Sequence, residues 1–398
     1  MKHTMKKAFA AVMSVCTLAA AAPAAISASA ASYPTCPSDS SLTSRSVSFT
    51  NHRGYSSSVN ASYSSSQNRY WMLNKNKKIR LITSSYSSRL NSVTYYKNQT
   101  IPKPKSNAEW NSWLWSSSNP TNYIYGTWND YAETMQNVEA VRNYYQNTLG
   151  ITNFAFGSSS DQTIYVSIFD HAGDAKSNNS NGYGCIGFGM ADSTRYCMGV
   201  DRGVVGHEFT HLYTMKKLGW NQTGVSIEKG AVTEAYSDIL GELSEDTPDW
   251  YVGAQTYKGS SGNHYAPYCV RNLVNPQNTN TPNGTAGSAY YSNYNTFITA
   301  VNNGSLNNVS NAYALGSTVL SHAAYKMYYN GISKNELAKI WNNSLNLINT
   351  NYSITMPVVA NAVCSAASEY FINKYNTNPN DYWTAMYKVF NAFSDVGL

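Results

Sequence analysis

The chain has 398 residues, of which only 13% are charged, with 33 tyrosines and a formal net charge of +6. That length suits one large domain or two around a sizeable core. The weak charge argues against a nucleic-acid surface, the more so because losing Lys2, Lys6 and Lys7 with an N-terminal leader lowers the balance by three, to about +3.

Residues 1–30 read as a secretory signal: lysines at the start, an apolar run from Ala8 to Ala22, and Ala28-Ser29-Ala30 as a cleavage site. The run is short for a membrane span, and Val15 before Cys16 argues against a lipid-bearing cysteine. No later stretch is apolar enough to cross a bilayer, so an exported, soluble, extracellular protein of bacterial type is expected. Residues 31–44, rich in Ser, Pro and Thr, read as a linker or short leader. Five cysteines remain beyond the signal. In an oxidising compartment they should mostly pair, with Cys185–Cys197 and Cys269–Cys364 expected and Cys36 left over.

Val47–Phe49 reads as a strand, and Tyr70–Thr83 as two strands about an Asn/Lys turn. Trp110, Trp113, Trp115 and Trp128 gather next, either as core or as a platform for sugars. Glu133–Leu149 has the apolar spacing of an amphipathic helix that stops at Gly150. Ile164, Val166 and Ile168 alternate along Thr163–Phe169, expected to be an edge strand. Residues 176–198 are rich in Asn and Gly. Helical spacing fills Gly203–Gly219 and Gly230–Leu243, fades through 247–311, and returns in Ala312–Tyr329, Lys334–Ile348, Pro357–Tyr375 and Asp381–Phe393.

The first of these helices carries His207, Glu208 and His211. Positions i and i+4 share a helix face, so the two imidazoles can grip one metal ion, with Glu208 beside its open coordination position as a base for water. The next helix places Glu234 and Asp238 four apart among Ala231, Ile239 and Leu243. A carboxylate there is costly to bury unless paired or metal-bound. Glu234 is therefore assigned as third zinc ligand and Asp238 as the group that holds a ligand imidazole in its tautomer.

HEFTH followed by EAYSD resembles the thermolysin-like zinc metallopeptidases, and NYYQNTLG (143–150), Asn181–Tyr183, RNLVNP from Arg271, STVLSHAAYKM from Ser317 and the closing SDVGL look like stretches of that family in the same order. The resemblance covers roughly residues 45–398. It implies a two-lobed α+β fold, with a β-rich lobe over 45–200, a helical lobe over 201–398, the zinc site in the cleft between, and Thr163–Phe169 along that cleft. It further implies a monomeric endopeptidase acting on peptides or proteins. Asn181 and Gly182 would lie along the substrate backbone, Arg271 would bind a substrate carbonyl, and Val204 and Val270 would line an apolar pocket for the residue after the scissile bond. The family's long folding-assistant propeptide would not fit within 31–44.

Two departures stand out. Where the family has H-x-N-S, with a histidine that stabilises the oxyanion, this chain has Ala314 and Gly316, which leaves Tyr313 as the neighbouring candidate donor. His264 and His322 are other histidines in the region. Calcium-binding acids survive as Glu245 and Asp249, while Gly203, Tyr251 and Ala254 stand where acids are usual, so at most a single calcium is implied. Two rival readings follow: a zinc-holding pseudo-protease that binds a peptide or cell-surface partner, and a glycan-binding protein using its aromatic residues.

Overall fold

The computed structural model describes residues 33–398 apart from 87–92, 115–123, 179–181, 220–224, 259–267, 282–283, 286–288, 310, 351–352 and 377. Residues 33–42, the described part of the expected linker, dock on the sheets: the Tyr33 hydroxyl donates to the Thr100 carbonyl at 2.9 Å, Asp39 pairs with Arg80 at 2.7 Å, and Leu42 packs with Trp71 and Leu73. β1 (Thr43–Thr50), β2 (Ser56–Ser64) and β3 (Arg69–Trp71) form an antiparallel sheet. Only alternate residues of β1, Val47 and Phe49, are buried, as expected when one face meets water.

The larger sheet contains β4 (Leu73–Asn74), β5 (Ile79–Tyr86), β6 (Val93–Thr100), β7 (Ile164–Phe169), β8 (Ala175–Asn178) and β9 (Gly184–Gly189). Its order is β4-β5-β7-β9-β8, with β6 on β5. The turn expected within Tyr70–Thr83 is the β4–β5 connection. Between β6 and β7 run α1 (Asn107–Trp113) and α2 (Trp128–Asn147), the latter started by a Thr127/Asp130 capping box. β5 and β7 pair in parallel, and such pairs need a long crossover, which this stretch supplies.

β7 corrects one expectation: it is not an edge strand. All six of its residues are buried between parallel β5 and β9. Ile164, Val166 and Ile168 enter the main core while Tyr165 meets Ile82 and Cys185 on the opposite face. The sheet edge beside the site is β8, whose four residues are all partly exposed. The cysteine pairing is also overturned, since Cys36, Cys185, Cys197, Cys269 and Cys364 are all unbonded. Cys185 lies with Ile82 and Tyr165 on one side of the sheet, and Cys197 is buried in the main core. Trp110 and Trp113 are core residues in edge-to-face contact at 6.3 Å, so they offer no sugar platform, and Trp115 lies outside the described residues.

The remainder is mainly helical: α3 (Arg202–Leu218), α4 (Ile227–Ser244), α5 (Tyr294–Asn302), α6 (Ala312–Tyr329), α7 (Lys334–Ser344), α8 (Met356–Lys374) and α9 (Pro379–Asp395). Two short ribbons, β10 (Tyr251–Val252) with β11 (Arg271–Asn272) and β12 (Asn280–Thr281) with β13 (Gly284–Thr285), precede α5. α5 was not expected. It is only nine residues long and sits in an Asn- and Thr-rich stretch, but Asn293 caps it and Phe297 buries fully. One apolar cluster runs through both the sheet-rich and the helical regions, with α4 packed between α3 and α6. Among the described residues no helix is long and apolar enough to cross a membrane.

Candidate metal centre

Local chemistry fixes the two helices first. The Asp201 side chain accepts from the Val204 amide at 2.9 Å and starts α3, while Gly219, at φ +63°, ends it in the left-handed conformation that glycine takes most readily. The Ser226 side chain accepts from the Lys229 amide and starts α4. The helices cross at glycines. A Cβ on Gly206 would stand 2.7 Å from Gly241 Cα, and one on Gly241 would stand 2.8 Å from the His207 amide nitrogen. Only glycines let the backbones meet this closely, and the meeting brings the two faces that bear His207, His211 and Glu234 together.

Nε2 of His207 and Nε2 of His211 are 3.0 Å apart, and the Glu234 carboxylate lies 3.4 Å from the first and 3.3 Å from the second. Ligands about 2.0–2.1 Å from a tetrahedral zinc ion are separated by about 3.3–3.4 Å; the two Glu234 contacts, one through Oε2 and one through Oε1, have that spacing, and the imidazole pair is slightly closer. Two imidazole nitrogens facing each other at this distance repel unless a proton or a cation lies between them. The donor set thus fits zinc on its own geometry. Without metal, burial disfavours charge on His207, but its bonds to Asp238 and Glu234 outweigh burial and push it up to about 10. Glu234 is driven the other way: burial would raise it, yet the two histidines hold it well below the carboxylate range.

Asp238 of α4 lies against the His207 imidazole. Its Oδ1 lies 2.9 Å from His207 Nδ1, which turns Nε2 toward the other donors. Sequence reasoning missed the rest of its surroundings. Arg271 donates to it through Nε at 3.0 Å and Nη2 at 2.6 Å, and Ser317 and Ser321 of α6 lie 3.2 and 3.4 Å from its Oδ2. The serines, four apart on one helix, were the available signal. Arg271, expected to clamp substrate, is buried and commits Nε and Nη2 to Asp238. Glu208 is buried, and burial raises its carboxyl above the ordinary value, with His207 and His211 opposing.

The other named residues divide. Val204 and Val270 converge at Gly253, where an added Cβ would be 3.6 and 2.7 Å from their Cγ2 atoms. Gly182 sits at φ +83°, its carbonyl accepting from the Ser159 amide at 3.0 Å, and Asn181 lies outside the described residues. Tyr313 is not turned toward the metal donors. Its ring lies on Gly230, and its hydroxyl donates to the Val225 carbonyl at 3.3 Å, before the first turn of α4. One residue along α6 is a rotation of about 100°, which carries Tyr313 away from the direction of Ala314. Gly316 is closed off as well, since a Cβ there would be 2.3 Å from Phe297. The His322 ring meets the Leu273 carbonyl at 2.8 Å, and His264 is outside the described residues.

A second acidic group lies at the far end of α4. Oxygens of Glu242, Glu245 and Asp249 come within 4.8 Å of one another, so Glu242 joins the two acids singled out from sequence. Each gives one oxygen to a backbone amide, of Trp250, Gly203 and Tyr251 respectively. Burial and mutual repulsion raise Glu242 and Glu245 well above the ordinary carboxylate range and push neighbouring Asp201 up to about 6.

The family sequence model described as "Thermolysin metallopeptidase, alpha-helical domain" matches residues 225–398. The chain is 39% identical to the Neutral protease of Vibrio proteolyticus over 82 residues, 20% of this chain and 13% of that protein. It is 30% identical to Bacillolysin of Brevibacillus brevis over 190 residues, 47% of this chain and 33% of that protein. The matched stretches thus span a third or less of those relatives. The solved structure "Precursor of Protealysin, Metalloproteinase from Serratia proteamaculans" aligns with a TM-score of 0.52 at 16% identity, covering 80% of this chain and 86% of that one, a likeness of fold.

Proposed function

From a chain that is a divergent member of the thermolysin-like metallopeptidase family, we propose a secreted zinc-dependent endopeptidase that hydrolyses peptide bonds with apolar residues after the scissile bond. The observation that carries the reading is the triangle of His207, His211 and Glu234 donors at 3.0–3.4 Å with Glu208 beside it. These residues would hold zinc, which when bound supplies Lewis-acid polarisation of the carbonyl and lowers the pKa of water. Glu208 takes the proton from the attacking water and delivers it to the leaving amine, and its raised carboxyl pKa suits both transfers. Asp238 keeps the His207 proton on Nδ1. Arg271, braced by Asp238, directs its remaining guanidinium edge to a substrate carbonyl. Val204 and Val270 favour an apolar side chain, and the extended substrate adds along the exposed β8 edge toward Asn181 and Gly182. Glu242, Glu245 and Asp249 retain three carboxylate oxygens for a single calcium ion.

One observation favours the second reading, a zinc-holding pseudo-protease that binds peptide. Ala314 offers no donor, Phe297 fills the space above Gly316, and the Tyr313 hydroxyl is spent on Val225. The deciding experiment is cleavage of a quenched peptide library by the zinc-loaded protein, beside Glu208→Ala and a chelator. Cleavage abolished in both controls establishes the peptidase. Stoichiometric zinc without cleavage sinks it in favour of binding.

A further inference from the structure

Of the nine large apolar side chains that stand exposed among the described residues, five lie on α8 and α9. On α9, Trp383, Tyr387 and Phe390 recur at i, i+4 and i+7, exposed by 52%, 61% and 42%, while Met386, Val389 and Phe393, about a quarter-turn round the helix, are buried. α9 thus presents an aromatic stripe to water, although its inward face already satisfies the core. Beside the stripe runs a shallow, open groove of about 740 Å³ between the two helices.

The lining argues for one class of occupant. Trp383 and Phe390 share the groove with Ser365, Ser368, Glu369 and Asn373 of α8. Ser368 Oγ and Tyr382 Oη lie 3.0 Å apart, two hydroxyls able to donate and accept. The groove is lined by a single carboxylate and by no lysine or arginine, so its charge does not suit a phosphate, an acidic peptide or an anionic lipid surface. Cys364, Ile372 and Met386 add smaller apolar surface to the lining, beside the aromatic rings and the hydroxyl, amide and carboxylate groups. A neutral sugar satisfies both halves of the lining. Its C–H face carries slight positive charge and stacks on the electron-rich face of an aromatic ring, while its hydroxyls exchange hydrogen bonds with amide, hydroxyl and carboxylate groups. Tyr387 stands just outside the lining, its ring centroid 6.4 Å from that of Trp383, and extends the aromatic surface along α9.

We propose that the α8–α9 groove binds a neutral glycan chain, independently of the metal centre, with Trp383 as its principal stacking surface. The test uses the full chain with Glu208→Ala to prevent self-cleavage, and measures calorimetric binding of cellohexaose, chitohexaose, maltohexaose and mannohexaose. At least one should bind, Trp383→Ala should weaken it tenfold or more, and Trp383→Phe should restore part of the loss with zinc content unchanged. The proposal is overturned if none of the four binds, or if Trp383→Ala leaves binding intact. It is equally overturned if sedimentation shows that Trp383→Ala converts a dimer to a monomer, which would make the stripe a contact between copies.

Discussion

Asp238→Asn should be far more damaging than its single-atom change suggests. The side chain keeps its shape, but the buried Arg271 guanidinium, which now makes contacts of 3.0 and 2.6 Å to a carboxylate, would face a neutral amide. Leaving one member of a buried ion pair without its partner costs about 3–5 kcal/mol. The second loss is at His207, whose Nδ1 proton is held by the same carboxylate at 2.9 Å. Weakening such a support typically lowers metal affinity about 10–100-fold. Chemical unfolding of metal-free protein reads the first effect and competition with a chromogenic chelator reads the second. A double-mutant cycle with Arg271→Leu should recover a large share of the stability, because that variant removes the stranded cation. If Asp238→Asn unfolds within about 1 kcal/mol of the parent and binds zinc equally well, the buried network does not have the role assigned to it.

Two further outcomes are expected. Restoring the family asparagine with Gly316→Asn should destabilise by about 1–3 kcal/mol through overpacking, since even a Cβ would stand 2.3 Å from Phe297, and in thermal unfolding Gly316→Asn with the buried Phe297→Ala should cost less than the sum of the two single changes. The acidic group at the end of α4 gives a pH dependence of unusual sign. Its carboxyls are raised in the folded protein, so their contribution is fully present below the unfolded carboxylate pKa near 4 and is lost as pH rises through the folded values, about 6 for Asp201, which alone amounts to about 3 kcal/mol. Calcium-free protein should therefore lose thermal stability between pH 4 and 7 from this source, calcium should restore it, and Glu242→Gln should flatten the slope; an unchanged slope in that variant would disprove the assignment.

The metal centre was legible because its chemistry is periodic. His207 and His211 must share a face, Glu234 and Asp238 must share another, and the apolar residues around them say which faces turn inward. The ends of α3 were equally plain, with lysines in its last turn and Gly219 beyond it. What sequence concealed was anything set by contact between distant elements. Ser317 and Ser321 are ordinary helix residues until α6 is laid against Asp238. β7 looked like an edge because alternation reads only one face, whereas Tyr165 is covered by Ile82 from β5. The cysteines illustrate the same limit: twelve positions separate Cys185 from Cys197, but the sheet turns one away from the core that holds the other.

The glycine crossing of α3 and α4 has a consequence for how the site meets its ion. Where helices pack through side chains, rotamers can shift and the separation can drift by fractions of an ångström. Here Gly206 and Gly241 put backbone against backbone, with nothing between them that can rearrange. The positions from which the metal donors project are therefore set before any ion arrives, and capture need not organise them. Such a site gives up little backbone conformational entropy on loading. Any adjustment to an ion that demands longer bonds falls to the three side chains, because the two main chains are already in contact.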